Sequence, residues 1–118
     1  MSPEEPWPPQ AGKPLPRAGE AYADPEKLAW ILSNAGHGRE WARVLYIGGD
    51  DIQRFWDAIA HAVIDAPLLA VRDVGPHSVS YEVRIRLTLG VRSANALTAW
   101  HYANPSAPPR LVTAYPKP

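Results

Sequence analysis

Cysteine is absent from this chain of 118 residues. Its absence excludes a disulfide framework, a thiolate zinc site and a thiol nucleophile, and leaves the redox compartment open. No apolar run approaches the roughly 20 residues that span a bilayer, so no membrane association is expected. The first residues lack a charged segment followed by an apolar one, so any export signal is expected on a longer parent chain or a separate secretion machine. There is no Gly-rich phosphate loop, no HExxH pattern, no GxSxG elbow and no calcium loop. The four histidines, His37, His61, His77 and His101, share no metal-ligand spacing, so neither metal nor cofactor is expected. Net charge is zero, so no overall field recruits nucleic acid.

What is present begins with five tryptophans, which supply large buried surfaces for one small domain. Charge is unevenly spread. Residues 1–65 hold six Lys/Arg against ten Asp/Glu, and residues 66–118 hold six against two. Nine of the twelve basic residues are arginine, the side chain suited to bidentate phosphate contacts. Two readings stay open: a basic sheet attracting acidic helices, or a basic patch facing a ligand.

Residues 1–20 read as a disordered linker, because Pro3, Pro6, Pro8, Pro9, Pro14 and Pro16 oppose helix and only Trp7 offers much to bury. Residues 21–118 read as a single domain. Asp24 followed by Pro25 starts a helix, which Gly36 stops, with Leu28, Ile31 and Leu32 as its apolar stripe. Residues 38–47 form a second helix burying Trp41, Val44 and Leu45. Asp50 or Asp51 caps a third helix through Ile64. There Ile52, Phe55, Trp56, Ile59 and Val63 follow the helical template. After Pro67 the period changes to two. Strands are expected over 68–74, from Val79 to Leu89, over 95–102 and over 110–115, with turns at Gly75-Pro76 and Gly90. The expected class is α+β: two or three N-terminal helices packed on a four-stranded antiparallel sheet.

The last strand carries the most suggestive chemistry. Thr113 and Tyr115 stand two residues apart, so both project from one face. A hydroxyl, a phenol and nearby arginines can hold a phosphodiester. The bland alternative is an edge strand whose Thr and Tyr merely pack. His37 lies in Gly36-His37-Gly38, where flanking glycines expose the imidazole and let backbone approach a ligand. His61 reads as a solvated helix residue. His77 sits in a loop, and His101 is placed to face the helices. Metal-free RNA cleavage needs a base for the 2′-hydroxyl, an acid for the leaving 5′ oxygen and cations or donors for the phosphorane. All these residue types are here.

Two stretches look like known families. Asp24-Pro25-Glu26-Lys27-Leu28, then Leu32-Ser33-Asn34 and His37-Gly38-Arg39-Glu40-Trp41-Ala42-Arg43-Val44, resembles the opening of a domain at the C-terminal tips of bacterial polymorphic toxins. The preceding Leu15-Pro16-Arg17-Ala18-Gly19-Glu20-Ala21 looks like the junction to a delivery chain. Leu97-Thr98-Ala99-Trp100 and Pro109-Arg110-Leu111-Val112-Thr113-Ala114-Tyr115-Pro116 are similar to that domain's closing strands. The Thr-Ala-Tyr-Pro ending also resembles EndoU-type RNases of the barnase–EndoU–colicin–RelE (BECR) fold.

The resemblance implies a monomeric, metal-independent endoribonuclease toxin. It would be delivered into a target-cell cytoplasm, cleave tRNA or other cellular RNA by 2′-hydroxyl attack, and be neutralised by an immunity protein. It assigns Thr113 and Tyr115 to phosphate binding and catalysis and His37 to the role of base, for which His101 and His77 compete. Arg84 and Arg86 are expected as a cationic wall, with Arg39, Arg43 and Arg110 as further substrate contacts. One departure stands out. The toxin-tip domain usually has a lysine where this chain has Trp41. Loss of that cation abolishes activity unless Arg39 or Arg43 replaces it, and so favours the alternative of a silent RNA- or protein-binding module; a Trp at this position can also belong to the core. An immunity or accessory protein is a third reading, supported only by small size and neutral charge.

Overall fold

The computed structural model describes residues 12–74, 79–104 and 106–117, with residues 68–74 described by backbone alone. Trp7, the Gly75-Pro76 turn and His77 lie outside the described residues. The first helix, α1, runs Pro25–Ile31. Proline at its first position loses nothing there, because that N–H has no intrahelical partner. Asp24 occupies the N-cap position but its side chain makes no capping bond. The helix stops well short of Gly36. Residues 33–38 fold back on its end instead: the His37 amide donates to the Ile31 carbonyl at 2.8 Å, and the Ser33 hydroxyl donates to the Trp30 carbonyl at 2.6 Å. Carbonyls that α1 leaves unpaired are satisfied by this fold-back.

The second helix, α2, spans Gly38–Leu45 and closes on Tyr46 in the left-handed region, φ 57°. The third, α3, spans Ile52–Val63 behind a 3-10 turn over Gly49–Asp51. Asp51 does not cap α3 with its side chain. Its carboxylate accepts the Gly48 amide at 3.0 Å and Arg54 Nη1 at 3.1 Å, which holds it below the usual aspartate range.

The strands are β1 (Leu68–Val74), β2 (Val79–Leu89), β3 (Arg92–Tyr102) and β4 (Arg110–Pro116). Each pairs antiparallel with its neighbour in chain order. The expected α+β class is the class adopted. β3 begins at Arg92 rather than 95, because Gly90 at φ 61° turns the chain in two residues and the ladder continues through Thr88↔Ser93 and Leu89↔Arg92.

The helices cover one sheet face. Val79, Tyr81, Val83, Ile85, Leu87 and Leu89 of β2 meet Phe55, Ile59 and Val63 of α3 in the core, beside Trp41, Trp100 and Leu111. Thr98 is a buried polar residue there; its hydroxyl donates to the Val83 carbonyl at 2.7 Å and accepts the Trp100 indole N–H at 2.8 Å. The Tyr81 phenol is buried, which pushes its pKa up, and it has no hydrogen-bond partner among the described residues.

Of the linker expected over 1–20, residues 1–11 lie outside the described residues, and residues 12–20 pack on the domain. Leu15 and Ala18 are buried in the core, and the Tyr102 phenol donates to the Pro16 carbonyl at 2.6 Å. Proline opposes helix but does not oppose packing, and here an extended segment and a 3-10 turn over Ala18–Glu20 cover the end of the sheet.

Candidate active-site face

The placement of Thr113 and Tyr115 depends on a β-bulge. Strict alternation along β4 would put Leu111, Thr113 and Tyr115 on one face. Leu111 is nevertheless in the core, together with Ala114. The register explains this: Trp100 pairs with Leu111 and Ala99 with Thr113, so Val112 is the extra residue. Beyond the bulge the parity has switched. Thr113 and Tyr115 lie beside Ala99 and Leu97 on the sheet face turned away from the helices.

That face can be read row by row from the pairing. Arg84, Leu97 and Tyr115 form one row; Glu82, Ala99 and Thr113 form the next; Ser80, His101 and Arg110 form a third. Arg84 and Tyr115 are two strands apart, about 10 Å between backbones. Leu97 and Ala99 floor the space between them. His101 therefore does not face the helices as expected. Its Nδ1 lies 3.2 Å from the Ser80 hydroxyl on the open face. Arg84 and Arg86 are exposed, and Arg86 donates to Asn95 Oδ1 at 3.0 Å.

His37 reaches this face from the helical layer. Its ring packs against Tyr115, with centroids 5.1 Å apart and planes tilted by 31°. The helix α2 makes that reach possible. Trp41, one turn after His37, is fully buried, and its indole N–H donates to the Ala114 carbonyl at 3.1 Å. Residues four apart share a helix face, so Trp41 anchors α2 to the edge strand and His37 arrives beside Tyr115. The glycines around His37 serve this geometry rather than ligand approach. A Cβ on Gly36 would collide with the Trp30 carbonyl oxygen, and one on Gly38 with that of Leu32.

Sequence reasoning missed Glu40. Its Oε1 lies 3.1 Å from His37 Nδ1. A carboxylate only accepts, so Nδ1–H donates to it, and Nε2 is the nitrogen that remains to take a proton. The spacing of three residues on a helix was the available signal. It also missed Glu82, which stands in the row of Thr113, and Arg92 and Lys117, which line a cleft with Glu40 and Arg43. Arg39 is exposed on α2 and Arg43 is exposed at that cleft, while Trp41 supplies no cation. His61 is exposed on α3. Among the described residues no group of three His, Cys, Asp or Glu is placed to hold a metal ion, and no helix is long and apolar enough to cross a membrane.

No protein-family profile, no curated protein and no solved structure matches this chain.

Proposed function

We propose that this protein is a metal-independent endoribonuclease of toxin type, with its reaction centre between His37, Tyr115, Thr113 and Arg84. The observation that carries the reading is the meeting of His37 and Tyr115, residues 78 positions apart in the chain, with Glu40 holding the imidazole. Through Nε2, His37 takes the 2′-hydroxyl proton. The 2′ oxygen attacks phosphorus, the bond to the 5′ oxygen breaks, and the Tyr115 phenol protonates that leaving oxygen. Proton transfer from imidazolium to phenolate then restores both groups. Thr113 donates to a non-bridging oxygen, and Arg84 offsets charge on the phosphorane across the Leu97 floor. Helices preceding a four-stranded antiparallel sheet are also the layout that the BECR resemblance implies. On this reading RNA, tRNA among it, is the substrate. An acidic immunity protein would cover the basic face.

The test is a gel assay of total RNA and tRNA in EDTA. Parent protein is expected to give products ending in 2′,3′-cyclic phosphate. His37→Ala and Tyr115→Phe are each expected to lower the rate at least 100-fold, the usual scale of a lost acid or base, while Glu40→Gln shows a smaller loss and an altered pH profile. Intact RNA with folded parent protein would sink the proposal. It would favour the second reading, a silent binding module, for which the specific observation is the burial of Trp41 where the resembling domain has a lysine.

A further inference from the structure

We infer that the cleft between α2, the start of β3 and the C-terminal end of β4 is a second phosphate subsite, which holds the RNA strand beside the reaction centre. The inference rests on the ribonuclease reading and names how that site gains its substrate. The cleft encloses about 560 Å³ and is lined by Glu40, Arg43, Arg92, Asn95 and Lys117 among others. It shares Glu40 with the His37 pair and borders Tyr115 through Pro116. Three cations thus face one carboxylate, and that carboxylate is already engaged by His37. The Lys117 backbone is held at the cleft because its amide donates to the Asn95 carbonyl at 2.9 Å, which extends the ladder past β4. It lies two residues beyond Tyr115, about 7 Å along the strand, a distance on the scale of one nucleotide step.

An independent observation points the same way. Tyr46 is 69% exposed, in a left-handed backbone conformation that is costly for a residue with a side chain. The Arg92 guanidinium stacks over its ring, 3.3 Å from the centroid. A phenol held in solvent beside a cationic cleft, with a planar cation on it, is a platform on which a base can stack while Arg92 reaches the adjoining phosphate. Single-stranded RNA offers both groups at once, and so fits the cleft better than a free anion does.

The probe is a fluorescein-labelled 2′-O-methyl RNA hexamer, which lacks the attacking hydroxyl, read by fluorescence anisotropy over a salt series. The Arg92→Ala/Lys117→Ala variant is expected to bind about tenfold more weakly. Its plot of log affinity against log salt is expected to be shallower by about 0.7, the value for one single-strand phosphate given up. Tyr46→Ala is expected to weaken binding by about tenfold with the slope retained, because stacking releases no counterion. Arg43→Ala, on the exposed side of α2, repeats the charge test should the double variant not fold. Parent-like affinity and slope in these variants, with RNA still cleaved by the parent, would overturn the subsite and leave the ribonuclease reading standing. A parent that neither binds the hexamer nor cleaves RNA would overturn both.

Discussion

Trp41 shows how one side chain decides between readings that the sequence left open. The resembling domain's lysine predicts a cation near the substrate; the apolar spacing of α2 predicts a core residue. The structure takes the second course, with the indole packed edge-on against Phe55 at 5.0 Å and its N–H on the Ala114 carbonyl. That bond was not legible in sequence, because the residues are 73 positions apart and the acceptor is a backbone group of an edge strand. Restoring the lysine is therefore expected to unfold the protein rather than activate it. Truncating a buried Trp costs about 3–5 kcal/mol, and an unpaired ammonium in its place adds several more. Together these match the 5–15 kcal/mol that keeps a typical domain folded. Far-UV circular dichroism of Trp41→Lys should show loss of native structure at 25 °C. A folded, more active variant would mean that the helix can turn this position outward.

At the scale of elements, the helix and strand periods were readable where burial is one-sided. The α3 stripe and the alternation of β2 both match the structure. Each miss has its own physical cause: α1 ends early because the local fold-back of residues 33–38 satisfies its carbonyls, and β3 starts early because one glycine suffices to turn the chain. The β4 bulge is subtler. Simple alternation is right that Thr113 and Tyr115 share a face and wrong to place Leu111 with them. Deleting Val112 would join Leu111 directly to Thr113 and leave each side chain on its present face, now in a regular ladder. The fold has no need of the extra residue, so its expected role is to bend β4 and aim Tyr115 at His37. The Val112 deletion is expected to stay within about 1 kcal/mol of parental stability, the scale of a half-buried valine. It should lose most RNA cleavage. Parental activity in a folded deletion variant would show that the bulge aims nothing.

For the molecule as a whole, the division of charge along the chain takes on a spatial meaning. The ion pairs Arg17–Glu20, His37–Glu40 and Arg54–Asp51 each join residues three apart within the acidic half. Arg84 and Arg86 of the basic half project from the face opposite the helices. Arg92 and Lys117 of the same half line the cleft with Glu40 of α2, so the basic half meets the helices there and faces outward at Arg84 and Arg86. Sequence reasoning placed the domain boundary at residue 20 because it weighed proline as a helix breaker and gave no weight to Leu15 and Ala18 as core residues. The segment's contacts predict a different boundary. Loss of Leu15 from the core removes about 1.5–3 kcal/mol, and loss of the bond from the Tyr102 phenol to the Pro16 carbonyl removes about 0.5–1.5 more. A chain begun at residue 21 is therefore expected to be less stable by about 2 kcal/mol or more, whereas one begun at residue 12 loses none of these contacts. Urea denaturation of the two truncations beside the full chain separates the cases. Coincident midpoints for all three would show that the Pro-rich segment rests on the domain without holding it together. A fall confined to the shorter chain would extend the folding unit to the residues around Leu15.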